Sequence, residues 1–424
     1  MVCIRVRPAM YCLSIARLLI RHSRKDLMLL CGGWFLLFVV YLLRILESFR
    51  SIPADPGSDY LIDASRDGLM SLFQSADGQI ILGIRGLANI ISLLPTRMHA
   101  IAVGLVVGGL WALGALFVAR LYSKTTNHLM WSMTIGLLVI LAPAASESQL
   151  GNIGGTRWLL YLVVALMISN TDQYFKILMS NRRLFGLAIL ILLLGLTNPI
   201  SFALIPGLAV TYFWQWRSLS ARMSKFNLMV IGLILLTIAI QLFSVLQTDR
   251  EIGRKSTATY FLWSGAGFYW KFIVFAPIAV VGVVLFLLQR NHRHIAHSRT
   301  ILLLCIQSAS IYIATYVLAG ISDRYLIAPY VLSFVALVVL ISEIGVRRRK
   351  IDSMIMVTSL AAACLASILW FPANTYLTSG LSWSNQTDNV VEQCSTDREA
   401  SVQLVFSDGN PNDVPCDYIL GNQF

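Results

Sequence analysis

The stretch "SDYLIDASRDG" (58–68) sets Asp59, Asp63 and Asp67 four positions apart. On a helix that spacing puts three carboxylates on one face. Like charges so close raise the pKa of at least one of them, and a carboxylate of that kind can take a proton from an attacking hydroxyl. Asp67 is the first choice for such a base and Asp63 the second. Gly57 and Gly68 bracket the stretch and limit the helix. The rival reading is a solvated acidic face, paired with Arg66 and Arg85.

Two further polar stretches carry groups suited to binding. In "PAASESQLGNIGGTRW" (143–158), Glu147 follows a proline-ended apolar run, and Asn152 lies among Gly151, Gly154 and Gly155, where backbones can approach closely. Arg157 and Trp158 then open the next apolar run, where a tryptophan commonly anchors the interface. "SDRY" (322–325) supplies Arg324 and Tyr325, and "PTR" supplies Arg97. An arginine at a membrane surface either snorkels towards water or grips a phosphate with its forked donors.

The elements that must position these groups are apolar helices. The chain has 424 residues, 57% hydrophobic and only 13% charged, whereas a soluble domain is about one-quarter charged. Runs of roughly 20 apolar residues match the thickness of a bilayer. Eleven spans are predicted, at 27–48, 98–122, 129–145, 157–170, 184–197, 201–216, 226–247, 271–289, 300–319, 326–346 and 352–371. The fold class is therefore an all-α polytopic membrane protein. Long unbroken apolar runs argue against a β-barrel.

The net charge of +12 falls in short loops between spans, including "RNHRHIAHSR" and "RRRK". That is the positive-inside pattern, and it argues against a nucleic-acid partner. It places a basic N-terminus, residues 1–26, in the cytoplasm, followed by a retained first span. An odd number of spans then leaves the C-terminal tail, 372–424, outside the cell membrane. The long outer loop 49–97 contains "DGLMSLFQ" and "GLANIISLL", which predict short amphipathic helices lying in the interface, with Pro95 ending the second. Of the seven cysteines, Cys394 and Cys416 stand alone in the outer tail, which predicts a disulfide between them. No P-loop, dinucleotide fingerprint or nucleophile elbow is present, and no spacing calls for zinc.

Taken in order, these pieces resemble actinobacterial polytopic membrane proteins of the GT-C glycosyltransferase type. The likeness covers most of residues 60–345. Asp67-Gly68 matches the Asp-Gly of that group's first outer loop, and Pro95 and Arg97 stand near its Pro-Arg. Glu147, Asn152 and Trp158 match its Glu…Asn…Trp segment, and Arg324-Tyr325 its Arg-Tyr. The sequence departs where the group has an acidic residue before Asp-Gly, here Arg66. It departs also at the second Asn, here Gly155 or Thr156, and at the Gly-Tyr, here Gly86-Leu87. The first departure leaves Asp63 to supply a second carboxylate.

The resemblance implies an inverting transfer of a sugar from a polyprenyl-phosphate donor to a cell-envelope glycan or lipid acceptor outside the membrane. Asp67, with Asp63, then acts as base. Arg97, Arg157 and Arg324 with Tyr325 bind the donor, and Glu147 and Asn152 orient sugar or acceptor. An acidic cluster can hold Mg2+ or Mn2+ through oxygen ligands, although this chemistry requires neither. Three alternatives stand beside it. One is a transporter or flippase of lipid-linked sugars, which needs paired ionisable groups at mid-membrane. Another is a polymerase or ligase using arginines of the 248–270 segment. The third is a chain that kept the scaffold and lost catalysis.

Overall fold

A computed structural model of the chain describes residues 24–45, 49–52, 57–75, 79–126, 129–142, 151–216, 221–246, 278–283, 297–319, 326–345, 382–406 and 411–420. The apolar runs become helices: α1 (Arg24–Arg44), α4 (His99–Tyr122), α5 (Leu129–Leu141), α6 (Thr156–Ser169), α8 (Asn181–Gly195), α9 (Ile205–Trp216), α10 (Ala221–Leu246), α11 (Ser298–Ala319) and α12 (Ile327–Gly345). Each predicted span outside 271–289 and 352–371 thus coincides with a described helix. Among the described residues, Thr96–Tyr122, Lys225–Ser244 and Ser298–Thr315 are long and apolar enough to cross a membrane.

Close packing follows from small residues at helix crossings. A Cβ on Gly136 of α5 would stand 2.9 Å from the Ala115 carbonyl oxygen of α4, so only glycine lets these backbones meet. The α1 helix ends by capping α5: Arg44 donates to the carbonyl of Ile140 and, at 2.7 Å, to that of Ala142. These are the carbonyls a helix C-terminus leaves without internal donors. Trp111, Trp158, Tyr41 and Tyr161 fill the interior. Trp158 is fully buried, so the expected interfacial anchor is a core residue instead.

One span is broken. At Asn170 the chain turns by 91° into α7 (Thr171–Leu178), which occupies part of what the sequence suggested was an inner loop. The Asn170 carboxamide oxygen caps α7 by accepting from the Gln173 amide at 3.4 Å. Its amide nitrogen donates to the Leu121 carbonyl and the Thr125 hydroxyl, both at 3.1 Å. Tyr174 donates to Asn227 at 2.7 Å, and the Thr171 and Thr300 hydroxyls pair at 3.2 Å. The bonded side chains of this knee are buried and uncharged, while Asp172 on the first turn of α7 is exposed.

The 49–97 loop is helical over most of its described residues, as its pattern predicts. It holds α2 (Gly57–Asp67), a 3-10 helix (Gly68–Phe73) and α3 (Leu82–Ile91). The second helix stops short of Pro95, and Pro95 instead precedes a 3-10 turn, Thr96–Met98, leading into α4. The segment is tied to the bundle through its backbone. The buried Gln241 of α10 accepts from the Ile80 amide at 3.0 Å and donates to the Ile80 carbonyl at 2.7 Å. Thr197 accepts from the Gly83 amide at 3.0 Å.

The tail adds α13 (Trp383–Thr396), an antiparallel hairpin of β1 (Ser401–Val405) and β2 (Pro411–Pro415), and α14 (Cys416–Leu420). It is therefore a small mixed unit on an otherwise helical protein, closed by a disulfide between Cys394 and Cys416. Two of its helices grip the entrance to α4. Trp383 donates its indole N–H to the Thr96 carbonyl at 2.9 Å, and Thr96 donates to the Tyr418 carbonyl at 3.0 Å. His99 Nε2 lies 2.8 Å from the Leu94 carbonyl, which can only accept, so Nε2 carries the proton. His99 Nδ1 then accepts from the Tyr418 hydroxyl at 2.7 Å. Burial pushes the Tyr418 phenol well above its ordinary pKa, keeping it a donor.

Candidate functional site

The α2 helix buries Tyr60, Leu61 and Ala64 and turns Asp59, Arg66 and Asp67 outwards. Its three carboxylates share a face but not an environment. Asp59 sits in the first turn, where the helix dipole favours a negative charge. Asp63, 36% exposed, forms an ion pair at 3.0 Å with Arg85 of α3, whose side chain is only 3% exposed. The Arg85 guanidinium also lies 5.3 Å above the Tyr60 ring, and its Nε is buried without a hydrogen-bond acceptor. A cation held so far from water depends strongly on its one carboxylate.

The chain then reverses at Gly68, whose φ of +53° is a left-handed conformation that a side chain would oppose. This turn brings Gln74 back beneath the end of α2. Gln74 Nε2 donates to Asp67 Oδ2 at 2.6 Å, and its Oε1 accepts from Arg85 Nη1 at a long 3.4 Å. One amide therefore links Asp67 to the buried guanidinium that Asp63 pairs with directly. Its orientation is fixed twice over, because the oxygen must face the cation and the nitrogen the carboxylate. Asp67 stays exposed to solvent while one of its oxygens is held.

Below this unit, α3 roofs an apolar groove of about 460 Å3 between α4, α6 and α8. Gly83 and Leu87 of α3 line it, with Leu113 and Phe117 of α4, and Thr156 and Thr197 are its polar residues. Arg85 lies on the other side of α3, towards α2. A single ten-residue helix thus separates an ionic cluster from a lipid-like groove.

The other predicted residues divide. Asn152 is buried next to α3, and its side chain accepts from the Gly154 amide at 2.9 Å, capping the short 3-10 turn Ile153–Gly155. Arg157 follows on α6, its guanidinium 5.7 Å from the Trp158 ring. Arg97 is exposed on the turn that the tail grips. Glu147, Arg324 and Tyr325 lie outside the described residues. Among the described residues no cluster of three or more His, Cys, Asp or Glu could hold a metal ion.

Arg85 enters the sequence reading as a partner of a solvated acidic face together with Arg66; Asp63 makes that pairing with Arg85, while Arg66 is exposed. Gln74 carries no sequence signal. The three-residue step from Asn170 to Gln173 does carry one, the capping signature that starts α7. No known protein family matches the sequence, and no curated protein matches it either.

Proposed function

We propose that the chain is a membrane glycosyltransferase of the GT-C type. It transfers a sugar, with inversion, from a polyprenyl-phosphate donor to a cell-envelope acceptor on the outer side of the membrane. The full chain would then cross the membrane eleven times, with its N-terminus in the cytoplasm and its tail outside. The observation that carries the proposal is the Asp63–Arg85–Gln74–Asp67 unit, set on a segment that also roofs an apolar groove. A donor with a prenyl chain needs both halves, an apolar slot and a carboxylate near it, and here α3 lies between the two.

In this mechanism Asp67 takes the acceptor's hydroxyl proton as that oxygen attacks the anomeric carbon, and the bond to phosphate breaks on the opposite face. Arg97 and Arg324 stabilise the charge that develops on the leaving phosphate. Asp63 does not serve as a second base. It neutralises Arg85 and holds α2 against α3. A disulfide-closed tail suits the oxidising side of a membrane.

The broken span at Asn170 is the observation that favours a transporter, since discontinuous helices form transport sites. Its bonded groups are uncharged amides and hydroxyls, and Asp172 on the first turn of α7 is exposed, so surface chemistry is the better reading. The test is complementation of a deletion strain with wild type and with Asp67→Asn, following labelled envelope glycan and the pool of prenyl-phosphate sugar. Loss of glycan incorporation with accumulation of donor is expected. Full activity of Asp67→Asn at wild-type protein level overturns the assignment.

A further inference from the structure

The apolar side chains of the outer segment are distributed unevenly. Leu69, Met70 and Phe73 of the 3-10 helix, with Ile90 and Leu93 at the end of α3, are between 59% (Ile90) and 80% (Leu93) exposed. The two elements are held together from within, where Asn89 donates to the buried Ser71 hydroxyl at 2.8 Å. Side chains of this size left uncovered by protein on a well-bonded segment mark a contact surface.

We infer that these five residues form a lip that inserts into the acyl region of the adjoining membrane leaflet. Three observations identify lipid as the occupant. The lip runs into the membrane-crossing helix Thr96–Tyr122 with only Leu94 and Pro95 between, so it stands at the level where that helix leaves the bilayer. Exposed arginines bracket it in sequence, Arg66 before Leu69 and Arg97 after Leu93, and both suit anionic headgroups. Finally, Gly83, Leu87 and Ile90 fall at i, i+4 and i+7 of α3, one face of that helix, and the first two line the groove. A single apolar surface therefore leads from the lip to the groove, a path along which a lipid chain can slide without meeting water.

Insertion has a consequence for the neighbouring site. Asp67 precedes the lip by two residues, so a buried lip holds this carboxylate at headgroup depth. The inference rests on membrane embedding alone and stands or falls independently of glycosyl transfer.

The experiment uses the full chain with Cys3, Cys12, Cys31, Cys305 and Cys364 replaced by alanine and the Cys394–Cys416 disulfide retained. Nitroxide is attached at Met70→Cys, Phe73→Cys or Leu93→Cys in nanodiscs of phosphatidylcholine and phosphatidylglycerol, with the exposed Ser75→Cys and Asp397→Cys as aqueous references. Power-saturation measurements with oxygen and a water-soluble nickel chelate report the surroundings of each label. The expected result is loss of nickel contact with retained oxygen contact at the three lip positions, and the reverse at the references. Nickel contact at the lip equal to that at Ser75 overturns the inference. So does protection from both reagents, which means that protein, such as a second copy of this chain, covers the lip.

Discussion

The outer segment and the knee at Asn170 are both polar insertions into an apolar bundle, and they are built on opposite principles. At the knee the polar groups are neutral, buried and bonded to one another: Asn170 with Leu121, Thr125 and Gln173, and Tyr174 with Asn227. Such a network resolves the backbone groups freed by a sharp bend, and beside it the Ser169 hydroxyl is buried without a partner. On the outer segment the groups are ionised, one partner is buried and the other half open, and Asp67 shares only one of its oxygens. That imbalance costs stability and leaves capacity for chemistry. The difference separates a closed polar network from an open one, and the proposed catalytic role rests on it.

Substitutions sharpen the contrast. The largest effect is expected at Asp67→Asn, which should lower transfer by about 10^2–10^4-fold, the range for removing a general base, with the melting temperature unchanged. Activity assays on equal amounts of folded protein check this. At the knee, Asn170→Ala should cost about 2 kcal/mol, because it strips the cap of α7 and leaves buried partners unmet. Thermal unfolding in detergent measures that loss, and activity per folded molecule should stay level.

Asp63→Asn falls between the two in kind. Removing one partner of a fully buried pair costs about 3–5 kcal/mol. Here Asp63 keeps 36% exposure, which puts the expected loss nearer about 2 kcal/mol. Adding Arg85→Met should return most of it, and a double-mutant cycle on melting temperature reads the coupling. The smallest change is expected at Gln74→Leu, about 1 kcal/mol for an exposed hydrogen bond, with a fall in transfer smaller than that of Asp67→Asn. Unchanged transfer in Gln74→Leu would mean that the amide does not orient the base.

Much of this architecture was legible in the chain. Apolar runs located the helices to within a few residues, because burial in lipid or protein dictates them locally. Asp59, Asp63 and Asp67 fell on one helix face as their spacing required, and Asp67-Gly68 marked a turn that only glycine accepts without strain. What could not be read was which of the two candidate partners of the acidic face, Arg66 or Arg85, makes the pair. Asp63 and Arg85 lie 22 residues apart, and nothing local distinguishes Arg85 from Arg66, the arginine left exposed. Gln74 has meaning only once the Gly68 turn folds it back. The same holds for the tail, where Trp383 and Tyr418 find Thr96 and His99 across some 300 residues of chain. The knee was hidden for another reason: a hydropathy window sees α6 and α7 as a short span and a loop, while the capping pattern at Asn170 reports the break.

The most direct test is a structure of the protein in nanodiscs with bound polyprenyl phosphate. The account predicts the phosphate beside Asp67 and Arg97, with the chain passing under α3 into the groove lined by Leu87 and Leu113. A phosphate seated at the Asn170 knee, or anywhere away from α2 and α3, would contradict it.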